Sequence, residues 1–222
     1  MFAHIAINDF ESRTGISLND LSPVWRPDAK IVSLRDIADI TGVQAMPIDY
    51  LERLLASVGL EGDPSARPYR DCCVKLLRLD PENLRVGQTF VERGKYRALL
   101  ESFPNFFGDF CLTRGIAKIT ANIVSGRLAD GTFGLAHYLP PIVEEHGGEY
   151  CLLDGTHRNY LIRAAGTTIE SIVIRDVRAP FPCQPQKWSS VRPVEAKPPR
   201  EERYIGLDRS LFRDVKSIGI DG

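Results

Sequence analysis

The sequence predicts an α+β protein whose central part is a mixed sheet with short helices. Three observations carry this. Strand-length apolar and β-branched runs bracket a short helical stretch between Tyr150 and Val177, helical spacing with terminator residues fills Ser33 to Gly59, and a Pro-rich segment follows Arg178. The predicted organisation is a mainly helical segment at 1–72, an α+β domain at 73–179, and an extended tail at 180–222 that ends in a short docking piece.

In chain order, SLRDIADITGVQAMPIDYLERLLASVG (33–59) reads as two helices, the second opened by Pro47 and ended at Gly59. Ala38, Gly42, Ile48 and Leu51 fall at the spacings of a helix-turn-helix, with Gly42 at the turn. DNA binding is disfavoured, however, because IDYLERLLASV offers only Arg53 as a base and carries Asp49 and Glu52. A plain helical hairpin packed on the main domain is the stronger reading. EGDPSARPYRD (61–71) is polar, bears Pro and Gly, and reads as a linker. Val74 to Leu79 reads as a strand and Gly94 to Phe107 as a helix followed by an aromatic stretch. Phe103, Phe106, Phe107 and Phe110 are expected to fill the core. GIAKITANIV (115–124) fits helix and strand equally.

The most informative stretch is YCLLDGTHRNYLIRAAGTTIESIVIRDV (150–177). Cys151, Leu152 and Leu153 form a strand that stops at Asp154, a residue able to cap a helix. Gly155 permits positive φ or close approach of a ligand to the backbone. From His157, Tyr160, Leu161, Ala164 and Ala165 keep helical spacing, and Gly166 stands where a helix terminates, so the helix is only about two or three turns long. Its first turn carries orphan N–H groups, and Arg158 adds a planar fork of donors. Together they suit a phosphate or carboxylate. Ile169 to Val177 reads as the next strand, parallel to the first if the helix crosses over.

These residues carry a resemblance. LLDGTHRNYLIRAAGTTIESIVI, preceded by LPPIVEEHGGEYCLLDG, resembles the core motif of the ParB/sulfiredoxin superfamily, in which a strand leads to a D-G-x-H-R or related turn, a helix ending in A-A-G and a strand. The likeness spans Val74 to Val177 and is specific from Leu139 to Val177. It implies a ParB/sulfiredoxin-like sheet, and it puts Asp154, Gly155, Thr156, His157 and Arg158 on a nucleotide (ATP, ADP or CTP, with Mg²⁺). Sulfiredoxins carry a catalytic cysteine where this chain has Thr156, which argues against sulfinic acid reduction. Chromosome-partitioning members use a G-E-R-R turn and continue into a DNA-binding domain. The D-G-x-H-R form is most similar to the free-serine kinase branch, which phosphorylates a small hydroxyl substrate and uses a glutamate after the first strand as base. Glu92 is the first positional candidate for that base and Glu82 the second.

The implied activity is therefore phosphotransfer or nucleotide hydrolysis. Arg158 and the helix N-terminus would neutralise charge, His157 would donate to a phosphate oxygen, Glu92 would accept the hydroxyl proton, and Asp154 would cap the helix or, second, hold the metal. The alternative is a nucleotide-gated protein that contacts DNA or a protein without small-molecule turnover.

Composition agrees with a soluble, cytoplasmic protein. Net charge is −1 and pI about 6.4, so no global basic field draws the chain to nucleic acid or lipid. No run of 18 apolar residues and no basic n-region with an apolar stretch occurs, so neither a membrane span nor a secretory signal is expected. Cys72, Cys73, Cys111, Cys151 and Cys183 form no C-x-x-C pair, and His4, His137, His146 and His157 share no metal-ligand spacing on one helix, so free thiols and no structural metal are expected. In the tail, residues 179–204 hold six of the fifteen prolines and should lack regular structure on their own. Trp188 is the exception, a large aromatic expected to be tucked against a domain or a partner. LDRSLFRDVKSIGI (207–220) is amphipathic and docks in cis or, second, mediates self-association.

Overall fold

Pairing between distant strands organises this chain more than its local helices do. The computed structural model describes residues 4–18, 28–95, 97 and 120–219, with two mixed five-stranded sheets and short helices. Backbone contacts group residues 1–72, 120–139 and 213–222 into one unit, and 73–119 with 140–212 into a second.

The first unit contains β1 (Ile5–Ala6), α1 (Ile7–Thr14), β2 (Lys30–Ile31), β3 (Ile37–Ala45), α2 (Ile48–Ala56), β7 (Asn122–Leu128) and β8 (Phe133–Tyr138). Its sheet order is β1-β2-β8-β7-β3. Pro47 opens α2, and the helix buries Tyr50, Leu51, Leu54 and Leu55 along one stripe. The expected first helix of a hairpin is absent. Residues 37–45 are an edge strand paired antiparallel to β7 from Ile37↔Leu128 to Ala45↔Asn122. The helix-turn-helix reading is thereby overturned, because β-branched Ile37, Ile40, Thr41 and Val43 are supported by a partner strand some eighty residues away in sequence. The predicted linker at 61–71 is mostly exposed and is anchored at one residue. Tyr69 is buried, and the Arg213 guanidinium lies 5.9 Å from its ring centroid. The C-terminal piece docks in cis: Asp214 donates its N–H to the Gly59 carbonyl at 2.9 Å, and Ile218 is buried.

The second unit contains β4 (Cys73–Leu79), β5 (Leu84–Val86), β6 (Phe90–Glu92), β9 (Ile142–His146), β10 (Glu149–Asp154), α3 (Thr156–Ala164), β11 (Ile169–Arg175) and β12 (Arg192–Val194). The sheet order is β4-β11-β9-β10-β5, with β6 and β12 as a separate parallel pair. Gly147 and Gly148, with φ of 59° and 82°, turn the β9–β10 hairpin, a conformation that favours glycine at both positions. The strand after α3 forms as read, but not in the expected direction. β11 lies next to β9, parallel to it, while β9 is antiparallel to β10, so β11 runs opposite to β10. Helix α3 crosses over one intervening strand rather than closing a parallel pair.

Val143, Leu152 and Val173, side by side on three strands, carry the core, with Leu84, Val86, Val91, Trp188 and Val191 packed on them. The segment after Arg178 is thus less irregular than predicted. It supplies β12 and seats Trp188, whose Nε1–H donates to the Pro81 carbonyl at 2.6 Å. The expected helix from Gly94 is seen at 93–95 and 97. Its remainder, the four phenylalanines 103–110, Cys111 and residues 115–119 lie outside the described residues, while Asn122 to Val124 are strand.

Candidate functional site

The site is built where β10 ends. Cys151 and Leu152 are buried, the strand stops at Asp154, and Gly155 turns the chain at φ 93°, ψ 24° as the residue preceding α3. A Cβ at Gly155 would stand 2.9 Å from the Pro141 side chain, so both the dihedral and the space require glycine. Gly155→Ala is therefore expected to cost about 1–3 kcal/mol, read as a lowered thermal midpoint of this unit. An unchanged midpoint would mean that the turn relaxes freely.

Asp154 does not cap the helix, contrary to the sequence expectation. The N-cap position belongs to Gly155, no side chain caps α3, and its first turn holds no acid. The Asp154 carboxylate instead accepts from Arg158 Nη2 at 3.3 Å, both side chains being about three-quarters buried. The first helical bond runs from Asn159 N–H to the Gly155 carbonyl at 3.0 Å. The N–H groups of Thr156, His157 and Arg158 precede it and have no intrahelical acceptor. At the other end, Gly166 takes φ 62° just after the last helical turn, as its position in the sequence suggested.

The fold brings His157 and Glu92 together through a main-chain contact. The Glu92 N–H donates to His157 Nε2 at 2.9 Å, and the ring stands edge-on to Phe90 with centroids 6.4 Å apart. Burial lowers the His157 pKa, Lys95 and Lys197 push it the same way, and Glu92 and Asp154 oppose them. The ring is thus favoured neutral, with Nε2 as acceptor, so donation to an anion falls to Nδ1. Glu82, the second candidate for a base, stands elsewhere. It pairs with Arg163 at 2.8 Å in the last turn of α3 and lines a cleft of about 540 Å³ with Glu149, Lys187 and Trp188.

Neither Cys151 nor Cys183 is disposed to act as a nucleophile here. Burial pushes the thiols of Cys151 and Cys183 up to about 12, with help from Glu149 and Glu144 at Cys151 and from Cys151 at Cys183. No disulfide joins the four cysteines among the described residues. Among the described residues no three His, Cys, Asp or Glu side chains converge on one point, and no helix is long and apolar enough to cross a membrane.

Sequence reasoning missed Lys95, Lys197 and Tyr204 as neighbours of this turn. Tyr204 has its phenol pushed up to about 12, first by burial, with Asp154 among the charges acting on it. The β6–β12 pairing, together with the Thr89 N–H and hydroxyl that donate to the Arg203 carbonyl, draws residues near 200 toward residues near 90, and no local pattern announces it. Comparison of the chain with known protein families, with curated proteins and with solved structures gave no match.

Proposed function

We propose that the chain binds a nucleotide at the β10–α3 turn and transfers its terminal phosphoryl group to a small hydroxyl-bearing acceptor or to water, as the resemblance of residues 139–177 to the ParB/sulfiredoxin superfamily implies. The observation that carries this reading is the uncapped N-terminus of α3. Gly155 delivers it at the end of a buried strand, with Arg158 and a neutral His157 on its first turn.

In this reading the amides of Thr156, His157 and Arg158 hold phosphate oxygens, and the Arg158 guanidinium, already oriented by Asp154, adds charge-assisted bonds. His157 Nδ1–H donates to a further oxygen. The acceptor hydroxyl gives its proton to the Glu92 carboxylate as its oxygen bonds phosphorus, and the bond from phosphorus to the departing nucleotide oxygen breaks. Mg²⁺ arrives with the nucleotide and needs only one or two protein carboxylates, a role for Asp154. The regulatory alternative is weakened by the loss of the helix-turn-helix, since residues 37–45 are strand.

Thermal unfolding with ATP, ADP or CTP, each with Mg²⁺, tests the reading. A nucleotide at about 100 times its dissociation constant should stabilise the native protein by roughly 2.7 kcal/mol. Arg158→Ala should abolish that shift while the unliganded midpoint changes little. Equal shifts in parent and variant would remove Arg158 from the site, and no shift with any nucleotide would sink the proposal.

A further inference from the structure

The cleft that Glu82 lines lies at the other end of β10 and α3 from the Gly155 turn, and the segment after Arg178 opens it. Val86 and Gln186 exchange two backbone hydrogen bonds of 2.8 Å, so the chain at Gln186 begins as a further strand on the outer edge of β5. It does not continue. Trp188–Ser190 is a single 3₁₀ turn that carries the Trp188 ring into the core, where its Nε1–H donates to the Pro81 carbonyl. The two chains therefore part, and the start of β10 and the last turn of α3 close the gap between them into a cleft of about 540 Å³.

Five charged side chains line it, Arg85, Arg163 and Lys187 against Glu82 and Glu149, which leaves one positive charge in surplus. Arg85 is engaged, since Nε and Nη2 both donate to Glu149 Oε1, at 3.0 and 2.6 Å. Arg163 is not. Its Nε stands 2.8 Å from Glu82 Oε1, yet that N–H is buried and makes no hydrogen bond of ordinary geometry, so charge is balanced while the donor is left over. The guanidinium lies 5.8 Å from the Trp188 ring centroid, which fixes its position, and at 35 % exposure the side chain reaches the cleft. Lys187 makes neither a hydrogen bond nor an ion pair among the described residues. The cleft thus presents a held guanidinium fork and a lone ammonium, both with donors to give.

We propose that this cleft binds a small organic monocarboxylate, its carboxylate held by the Arg163 fork and the Lys187 ammonium and its body laid against Leu84, Tyr150 and Trp188. A carboxylate meets a guanidinium in one plane, through parallel hydrogen bonds. The single surplus charge selects a monoanion, because a second negative charge would stand beside the Glu82 and Glu149 carboxylates. The volume falls among small-molecule sites, about 300–1,000 Å³, and exceeds what a carboxylate group alone fills. This site is independent of the nucleotide reading. Arg163 lies seven residues beyond Thr156 on α3, roughly 10 Å of helix, too far for a ligand here to be the phosphoryl acceptor of the β10–α3 turn.

Amide NMR titration of the full chain with benzoate, acetate and inorganic phosphate tests the assignment. Benzoate is expected to shift the amides of residues 82–85, 148–150 and 187–189 saturably, acetate the same amides about tenfold more weakly for want of a body, and phosphate less than benzoate. Lys187→Gln, at an exposed position that makes no contact of its own, should weaken benzoate about tenfold without altering the fold. Arg163→Gln should weaken it at least as much, and Arg163→Lys should not restore it, since an ammonium lacks the fork. Benzoate affinity unchanged in both glutamine variants, or benzoate shifts confined to residues 155–158, would overturn this inference and leave the nucleotide site standing. Phosphate preferred over benzoate at the cleft would overturn the monoanion assignment, and no saturable shift there with either carboxylate would overturn the site itself.

Discussion

Trp188→Ala is expected to lower the stability of the second unit by about 3–5 kcal/mol, the range for removing a large buried aromatic. Trp188 is 6 % exposed and packs with Leu84, Val86, Val91, Leu152 and Val191 at the centre of the core. Its ring also lies 6.4 Å from that of Tyr160, and the Arg163 guanidinium is 5.8 Å from its centroid, so one side chain ties α3 to the segment after Arg178. Truncation opens a cavity and strands the Pro81 carbonyl that Nε1–H satisfies. Trp188→Phe keeps most of the volume and loses the hydrogen bond, so its cost should be near 1 kcal/mol. The check is urea unfolding followed by circular dichroism, with native-state hydrogen exchange to assign the loss to residues 73–95 and 140–212. A shift below that of the phenylalanine variant would show that the cavity collapses without penalty.

The parts of this fold legible in the sequence are those whose cause is local. From Tyr150 to Gly166 the hydrophobic period changes from that of a strand to that of a helix across a single glycine, and the structure places β10, the Gly155 turn and α3 there. Gly166 ends the helix by backbone conformation alone. The seating of Trp188 followed from composition, since a lone large aromatic in a polar Pro-rich stretch has few other ways to leave water. What was illegible depends on pairing between distant segments. Residues 37–45 carry helix-compatible spacing and only one buried position, Ile37, and became strand because β7 offers seven register partners. Strands β7 and β8, read as belonging with 73–179, pair instead with β2 and β3. The order β4-β11-β9-β10-β5 sets β11 opposite to β10, a choice made by β9 between them and invisible in either strand. At the site, the Asp154 side chain had two equally local options, the helix N-terminus and Arg158 one turn on. The ion pair occupies it, and Gly155 takes the capping position.

The first unit should lose stability as pH falls from 6.5 toward 4, and His137 should be a principal cause. Its ring is buried between Phe10 and Tyr50, with centroids 5.5 and 5.7 Å away, and the Tyr50 hydroxyl meets Nε2 at 2.8 Å. Burial raises the Tyr50 phenol well above its usual range, so its O–H stays protonated and donates to Nε2, which fixes the ring as neutral. Nδ1 makes no hydrogen bond of ordinary geometry, although the Ile218 backbone lies close enough to oppose part of the shift. Burial thereby lowers the His137 pKa to about 4. In the unfolded chain the same group titrates near its ordinary value of about 6.5. Between these values the unfolded state binds a proton that the folded state refuses, so stability falls with decreasing pH and is fully present above the upper one. The loss by pH 4 amounts to about 3 kcal/mol. Comparing the parent with His137→Leu/Tyr50→Phe isolates this term, because neither buried polar group is left without its partner. The double variant should be less stable at pH 7 for its lost packing, yet its stability should vary less between pH 4.5 and 7 than that of the parent. His157, whose pKa is also lowered, acts in the same direction in the second unit and is present in both proteins, so it cancels from the difference. Parallel pH profiles for the two proteins would mean that His137 is protonated within the fold at little cost, and that the contact with Tyr50 survives with the ring charged.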